Sequence, residues 1–113
     1  MSTELNFLGM DYGAGSGRGM LGSFDGNVLK LKEIERFLNN SVPDNDGGFH
    51  WDIKKLYQAM KDCLTKLRFE GIIIKSVGID TWAQDFGIID KNGKLKQDPF
   101  CYRTPFFDNG SKL

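Results

Sequence analysis

Eight consecutive positions, Asp11-Tyr-Gly-Ala-Gly-Ser-Gly-Arg18, hold side chains suited to binding a phosphate. Glycine permits positive φ, which would let successive backbone N–H groups converge on one anion. Five of the 14 glycines fall between Gly13 and Gly22, so they mark a place rather than general looseness. Ser16 adds a hydroxyl donor, and Arg18 a fixed planar cation matched to phosphate oxygens. Asp11 cannot bind phosphate itself. It can hold Mg²⁺, directly or through water, and the ion then bridges to phosphate oxygens. A cradle, a metal carboxylate and a neutralising cation are what phosphoryl transfer requires. The bland alternative is a glycine-rich hairpin with no ligand, since turns use glycine routinely. The aspartate at the strand end, with Ser16 and Arg18 interleaved, favours phosphate.

Two better-known phosphate motifs are excluded. No G-x-x-x-x-G-K-[ST] occurs, so this is not a Walker loop. Gly17-x-Gly19-x-x-Gly22 spells G-x-G-x-x-G, but Ser23-Phe-Asp-Gly-Asn27 reads as a turn where a helix should start. A second group, Asp80-Thr-Trp-Ala-Gln-Asp85, follows a β-branched run. There Asp80 and Asp85 straddle Trp82 at a strand end, the position where α/β folds place ligands. Trp82 can stack on the apolar face of a sugar or fill core, Asp80 can cap a turn, and Asp85 can accept from a sugar hydroxyl. The single histidine, His50, lacks ligand spacing to any Cys or Asp and reads as a surface loop residue.

The elements that must position these groups follow from periodicity and turn chemistry. Leu5 to Met10 is a short apolar strand ending at Asp11, and Met20 to Phe24 a second. Asp25-Gly26 then signals a hairpin into a third strand over 28–37, whose alternation slips near Ile34 and predicts a bulge. Residues 39–48 are polar with Pro43, a loop. Ile53, Leu56, Tyr57, Met60, Cys63, Leu64 and Leu67 recur at helical spacing, with Asp52 as N-cap and Gly71 as stop. Lys54, Lys55, Lys61 and Lys66 fall on its polar face and need no partner. Residues 72–79 read as a buried strand, and Lys91-Asn-Gly-Lys94 as a turn joining strands over 85–90 and 95–102. Three antiparallel strands, a crossing helix and a strand parallel to the first make a mixed α/β sheet that starts a ribonuclease H-like fold.

At 113 residues there is room for one domain with a modest core. Lys+Arg and Asp+Glu are equal at 15 each, so no global field attracts nucleic acid or an anionic membrane. No secretory leader or membrane-length apolar run is visible, and Cys63 and Cys101 read as buried thiols of a reducing, cytoplasmic setting.

Asp11-x-Gly-Ala-x-Ser-Gly-Arg18 resembles the first phosphate motif of the FGGY carbohydrate kinases, in the form used by the rhamnulokinase branch. The likeness runs through Ile34-Glu-Arg-Phe37, Trp51-Asp52, Gly78-Ile-Asp-Thr-Trp-Ala-Gln-Asp-Phe86, Asp90, Gly93, Pro99 and Tyr102-Arg103. The resemblance implies an actin- and hexokinase-like ATPase lobe and ATP-dependent, Mg²⁺-assisted phosphorylation of a ketose such as L-rhamnulose on a primary hydroxyl. It implies that Gly13, Ala14, Gly15, Ser16, Gly17 and Arg18 meet the ATP phosphates and that Asp11 serves the metal. Asp80, Thr81, Trp82, Ala83, Gln84, Asp85 and Arg103 would form the sugar side. Position 83 is often glycine in that family, and Gln84 replaces a usually apolar residue. After Tyr102-Arg103 the family pattern Y-R-D-x-R-T gives way to Thr-Pro-Phe-Phe-Asp108. The family's general-base aspartate, adenine pocket and second lobe would lie beyond Leu113. The expectation is therefore a part of the first lobe (residues 1–113), inactive alone, with Phe100, Phe106 and Phe107 exposed and able to drive dimerisation.

Two other functions fit some of these residues. Ribonuclease H-like nucleases also place metal carboxylates on their first and fourth strands, as Asp11 and Asp80 would be, though neutral charge and a phosphate turn argue against this. A non-catalytic nucleotide- or protein-binding remnant is the other.

Overall fold

A computed structural model describes residues 4–105, so Phe106 and Phe107 lie outside the described residues. Strand β1, Leu5–Tyr12, pairs antiparallel with β2, Ser16–Phe24, from Leu5 opposite Phe24 to Tyr12 opposite Gly17. The Asp25-Gly26 turn forms as its chemistry predicts. The Asp25 carboxylate accepts from the amides of Asn27 and Val28 at 2.8 and 2.7 Å, and Gly26 takes φ 99°. Strand β3, Leu29–Leu38, returns along β2. Met20 faces Glu33 while Gly19 faces Glu35, so Ile34 is the extra residue of a bulge. Its side chain enters the core, and its carbonyl accepts from Lys66 Nζ at 3.1 Å.

The segment read as a loop contains two short strands, β4 (Val42–Pro43) and β5 (Phe49–His50), paired antiparallel. Asp44 makes that hairpin: its carboxylate accepts from the amides of Asp46 and Gly48, both at 2.8 Å, and Gly47 supplies φ 85°. Helix α1, Ile53–Phe69, begins where Asp52 accepts from the Lys55 amide at 3.1 Å and stops before Gly71, at φ 77°. Strand β6, Ile74–Asp80, then lies parallel to β1, giving the sheet order β3-β2-β1-β6.

The core sits between one sheet face and α1. Leu8, Met10 and Tyr12 alternate along β1 and, with Leu21 and Ile34, pack on Leu56, Cys63 and Leu67 of the helix. The Tyr12 hydroxyl donates to the Leu56 carbonyl at 2.6 Å, so even the polar atom of this layer is satisfied.

Four expectations need correction. β6 is mostly exposed, with Ile79 at 56%, because α1 packs over β1 and β2 and β6 is an edge of the described sheet. The strands expected over 85–90 and 95–102 reduce to one bridge, Ile89 with Leu95. The turn itself forms, with Asp90 accepting from the Asn92 and Lys94 amides and Gly93 at φ 81°. Beyond it, however, the chain turns to β5: Trp51 N donates to Pro99 O and Cys101 N to Phe49 O, at 2.9 and 2.7 Å. His50 is half-buried in β5, stacked on Phe100 with ring centroids 4.2 Å apart, and is not a surface loop residue. Finally, Lys55 and Lys66 are not free on the polar face of α1: Lys55 Nζ donates to Leu38 O at 2.9 Å, and Lys66 to Ile34. Both lysines pin β3 to the helix.

Candidate functional site

The turn between β1 and β2 is held from two sides. Gly13 N donates to Ser16 O at 2.9 Å across its mouth. Asn39, just past β3 and only 3% exposed, donates its backbone N–H to Gly15 O at 3.1 Å and its side-chain Nδ2 to Gly13 O at 2.7 Å. The amides of Ala14 and Gly15 have no partner among the described residues. The expected positive φ is absent from Gly13, Gly15 and Gly17. Glycine serves closeness instead: a Cβ at Gly13 would sit 2.8 Å from Ser16 O, and one at Gly17 would enter the Phe37 ring.

Asp11 ends β1 and Asp80 ends β6, and the parallel register sets them side by side. They share a hydrogen bond. It lowers the Asp11 pKa, helped by Arg18, and raises that of Asp80, helped by burial. Arg18, opposite Asp11 on β2, places Nε 3.0 Å from Asp11 Oδ2, with both side chains open to solvent. This ion pair lies beside the turn rather than away from it. Among the described residues no group of three His, Cys, Asp or Glu side chains converges. A cation here would rest on Asp11, Asp80 and water or phosphate oxygens, a donor set that suits Mg²⁺, which keeps several waters.

Past β6, Trp82 stacks on the buried Trp51, rings 3.9 Å apart and 9° from parallel. One face of Trp82 is thus core, and only the other can meet a ligand. Its Nε1–H is buried with no partner among the described residues. Asp85 Oδ2 accepts from Trp51 Nε1 and from the Tyr102 amide, which leaves Oδ1 as the available acceptor. Tyr12, Trp51, Leu56, Thr81, Trp82 and Asp85 line part of a cleft of about 330 Å³. Gln84 faces a different one of about 470 Å³, with Phe86, Phe100 and Tyr102. Ala83 is exposed between them. Arg103 lies over the Tyr102 ring, with its guanidinium 5.4 Å from the centroid, and lines neither cleft. The residue-level reading missed Asn39 and Trp51. Asn39 looked like loop polarity, and Trp51, at the helix start, drew notice only through the family motif.

Known proteins resemble the chain in sequence and in fold. No protein-family model matches the chain. Rhamnulokinase of Bacteroides thetaiotaomicron is 45% identical over 100 residues, 88% of this chain and 20% of that protein. Rhamnulokinases of Yersinia pestis and Halalkalibacterium halodurans are 41% identical over 98 and 101 residues, 85% and 89% of the chain. The chain spans about a fifth of the length of these relatives. Among solved structures, gluconate kinase and ligand-bound xylulose kinase, both from Lactobacillus acidophilus, superpose with TM-scores of 0.74 and 0.69. They match 97% and 95% of this chain and 22% of each kinase, at 13% and 15% identity. The fold is therefore the actin- and hexokinase-like fold of the sugar kinases. In sequence the chain is similar to rhamnulokinases over most of its length. No described helix is long and apolar enough to cross a membrane.

Proposed function

We propose that this chain supplies the nucleotide-phosphate turn and one wall of the sugar site of an ATP-dependent kinase for a ketose of the L-rhamnulose type. The observation that carries this reading is the turn: unpartnered Ala14 and Gly15 amides beside Arg18 and the Asp11–Asp80 pair. In this reading the amides of Ala14 and Gly15 and the Ser16 hydroxyl take phosphate oxygens, while Gly13 and Gly17 shape the turn. Arg18 leaves Asp11 to neutralise phosphate charge, and Asp11 and Asp80 hold Mg²⁺. Mg²⁺ held by these two carboxylates would supply positive charge to offset that of the phosphates. The open face of Trp82, its orphan N–H, Thr81, the Ala83 backbone and Asp85 Oδ1 would receive the sugar, with Gln84 and Arg103 at its margin.

Amide NMR of the chain titrated with MgADP tests this. The expected result is shifts centred on Ala14, Gly15 and Arg18, at about millimolar affinity, that disappear when Mg²⁺ is chelated. Shifts elsewhere, or none at several millimolar ligand, would sink it. Incubating the chain with Mg²⁺ and nucleic acid should give no cleavage; cleavage lost in Asp80→Asn would favour the nuclease reading instead.

A further inference from the structure

We propose that Asn39 is the positioning residue of the phosphate turn, a role that rests on reading the turn as a phosphate cradle. A trans peptide is planar, so each carbonyl points opposite to the N–H of the next residue. Asn39 Nδ2 holds the Gly13 carbonyl at 2.7 Å and its backbone N–H holds that of Gly15 at 3.1 Å. Fixing those two oxygens on the Asn39 side turns the amides of Ala14 and Ser16 to the side away from Asn39. The usual hairpin closure would spend the Gly13 carbonyl on the Ser16 amide and pull that donor inward. Asn39 takes that carbonyl instead.

A donor pair is needed at this position, and it must not relax. Asn39 is 3% exposed, so its amide is committed to the turn rather than to water. Its backbone is anchored just upstream, where Lys55 Nζ of α1 holds the Leu38 carbonyl and Phe37 packs on Gly17. An aspartate of the same shape would set a carboxylate oxygen against the Gly13 carbonyl, with no proton between them. The helix, β3 and the turn are thus linked through one side chain.

The experiment compares wild type, Asn39→Asp and Asn39→Ala for urea stability, Mg²⁺ affinity and MgADP affinity. Variants that stay folded should lose MgADP affinity about tenfold or more while binding Mg²⁺ alone as wild type does. A merely structural role would weaken both ligands together. If wild type binds MgADP and the folded variants bind it equally, the Asn39 role falls and the cradle stands; if wild type does not bind, the cradle itself falls. Should both variants unfold, the scalar coupling across the Asn39 Nδ2–H to Gly13 C=O bond in wild type decides the matter. It should persist on MgADP binding while the Ala14 amide shifts. Loss of that coupling in the complex overturns the proposal.

Discussion

Gly19 offers the sharpest check on how the phosphate-bearing strand is seated against the helix. A Cβ built at position 19 lies 2.5 Å from Cys63 Sγ, 3.4 Å from Met10 Sδ and 3.5 Å from Cys63 Cβ. Favourable contact begins near about 3.5 Å, so the overlap with Sγ is roughly 1 Å, while Cys63 Cβ is an ordinary neighbour. Cys63 is 0% exposed, so its sulfur has no solvent to swing into. Overpacking of this kind costs about 1–3 kcal/mol. Gly19 lacks a positive φ, so alanine fits the backbone and restricts the unfolded chain, returning about 0.4–1 kcal/mol. Gly19→Ala should therefore destabilise by about 1–2 kcal/mol. Cys63→Ala removes one buried heavy atom and should cost about 1 kcal/mol alone. Combined, the new methyl occupies the space the sulfur leaves, so the double variant should sit within about 1 kcal/mol of wild type. Urea unfolding of all four proteins, followed by far-UV circular dichroism at constant m-value, measures the cycle. Simple additivity would refute the assigned contact, and with it the seating of β2 on α1.

Other expectations follow from the polar contacts. His50 faces acceptors at both ring nitrogens, Asp98 O at 2.8 Å and Asp44 Oδ2 at 2.7 Å, which only imidazolium satisfies with two N–H donors. The Asp98 carbonyl first, then the Asp44 carboxylate, raise its pKa above 6.5 against a smaller opposing effect of burial. A raised folded-state pKa means this stability is present below 6.5 and lost as pH rises through the higher value, so the melting temperature should fall over that interval and His50→Gln should flatten the fall. Asp44, lowered first by the Gly48 amide and then by His50, acts oppositely, its contribution fading as pH drops below 3.8. Trp51→Phe keeps the stack on Trp82 but leaves Asp85 Oδ2 only the Tyr102 amide, so urea unfolding should show a loss of about 1–3 kcal/mol. Mg²⁺ held by Asp11 and Asp80 should favour both carboxylates, so carboxyl NMR should show Asp80, whose pKa its neighbour Asp11 raises, titrating at lower pH when the ion is added; no change on adding Mg²⁺ would count against the pair as its site.

Where structure follows from neighbouring residues, it was legible in the sequence. Asp25-Gly26, Asp90 with Gly93, and Asp52 with Gly71 close or cap their elements through contacts within a few positions, and the broken alternation near Ile34 marked the bulge. What depends on distant surfaces was not. The β-branched run of β6 reads as buried, yet α1 lies over the neighbouring strands. Apolar positions near Ile89 form no ladder because residues 99–101 pair with β5 instead. Asp11 and Asp80 could each be placed at a strand end, but their lying side by side depends on the parallel register. Asn39 sits in an Asn-Asn pair that spells loop, and the carbonyl its side chain grips is 26 positions earlier. Gly13 and Gly17 were expected in the right place for the wrong reason, as close packing rather than unusual φ called for them.

The extra residue in β3 keeps two ends of one ribbon in phase. Counting back from Phe24 opposite Leu29 without the bulge at Ile34, Gly17 would face Arg36, and Phe37 would point away from the helix. With it, Phe37 lands on Gly17 and Asn39 arrives at the turn. Drawing Ile34 into regular pairing would leave the Asp25 hairpin intact yet put the clamp out of step with the loop it grips. The seating of the turn on its clamp is thus decided several residues away, at the one position the ladder leaves unpaired.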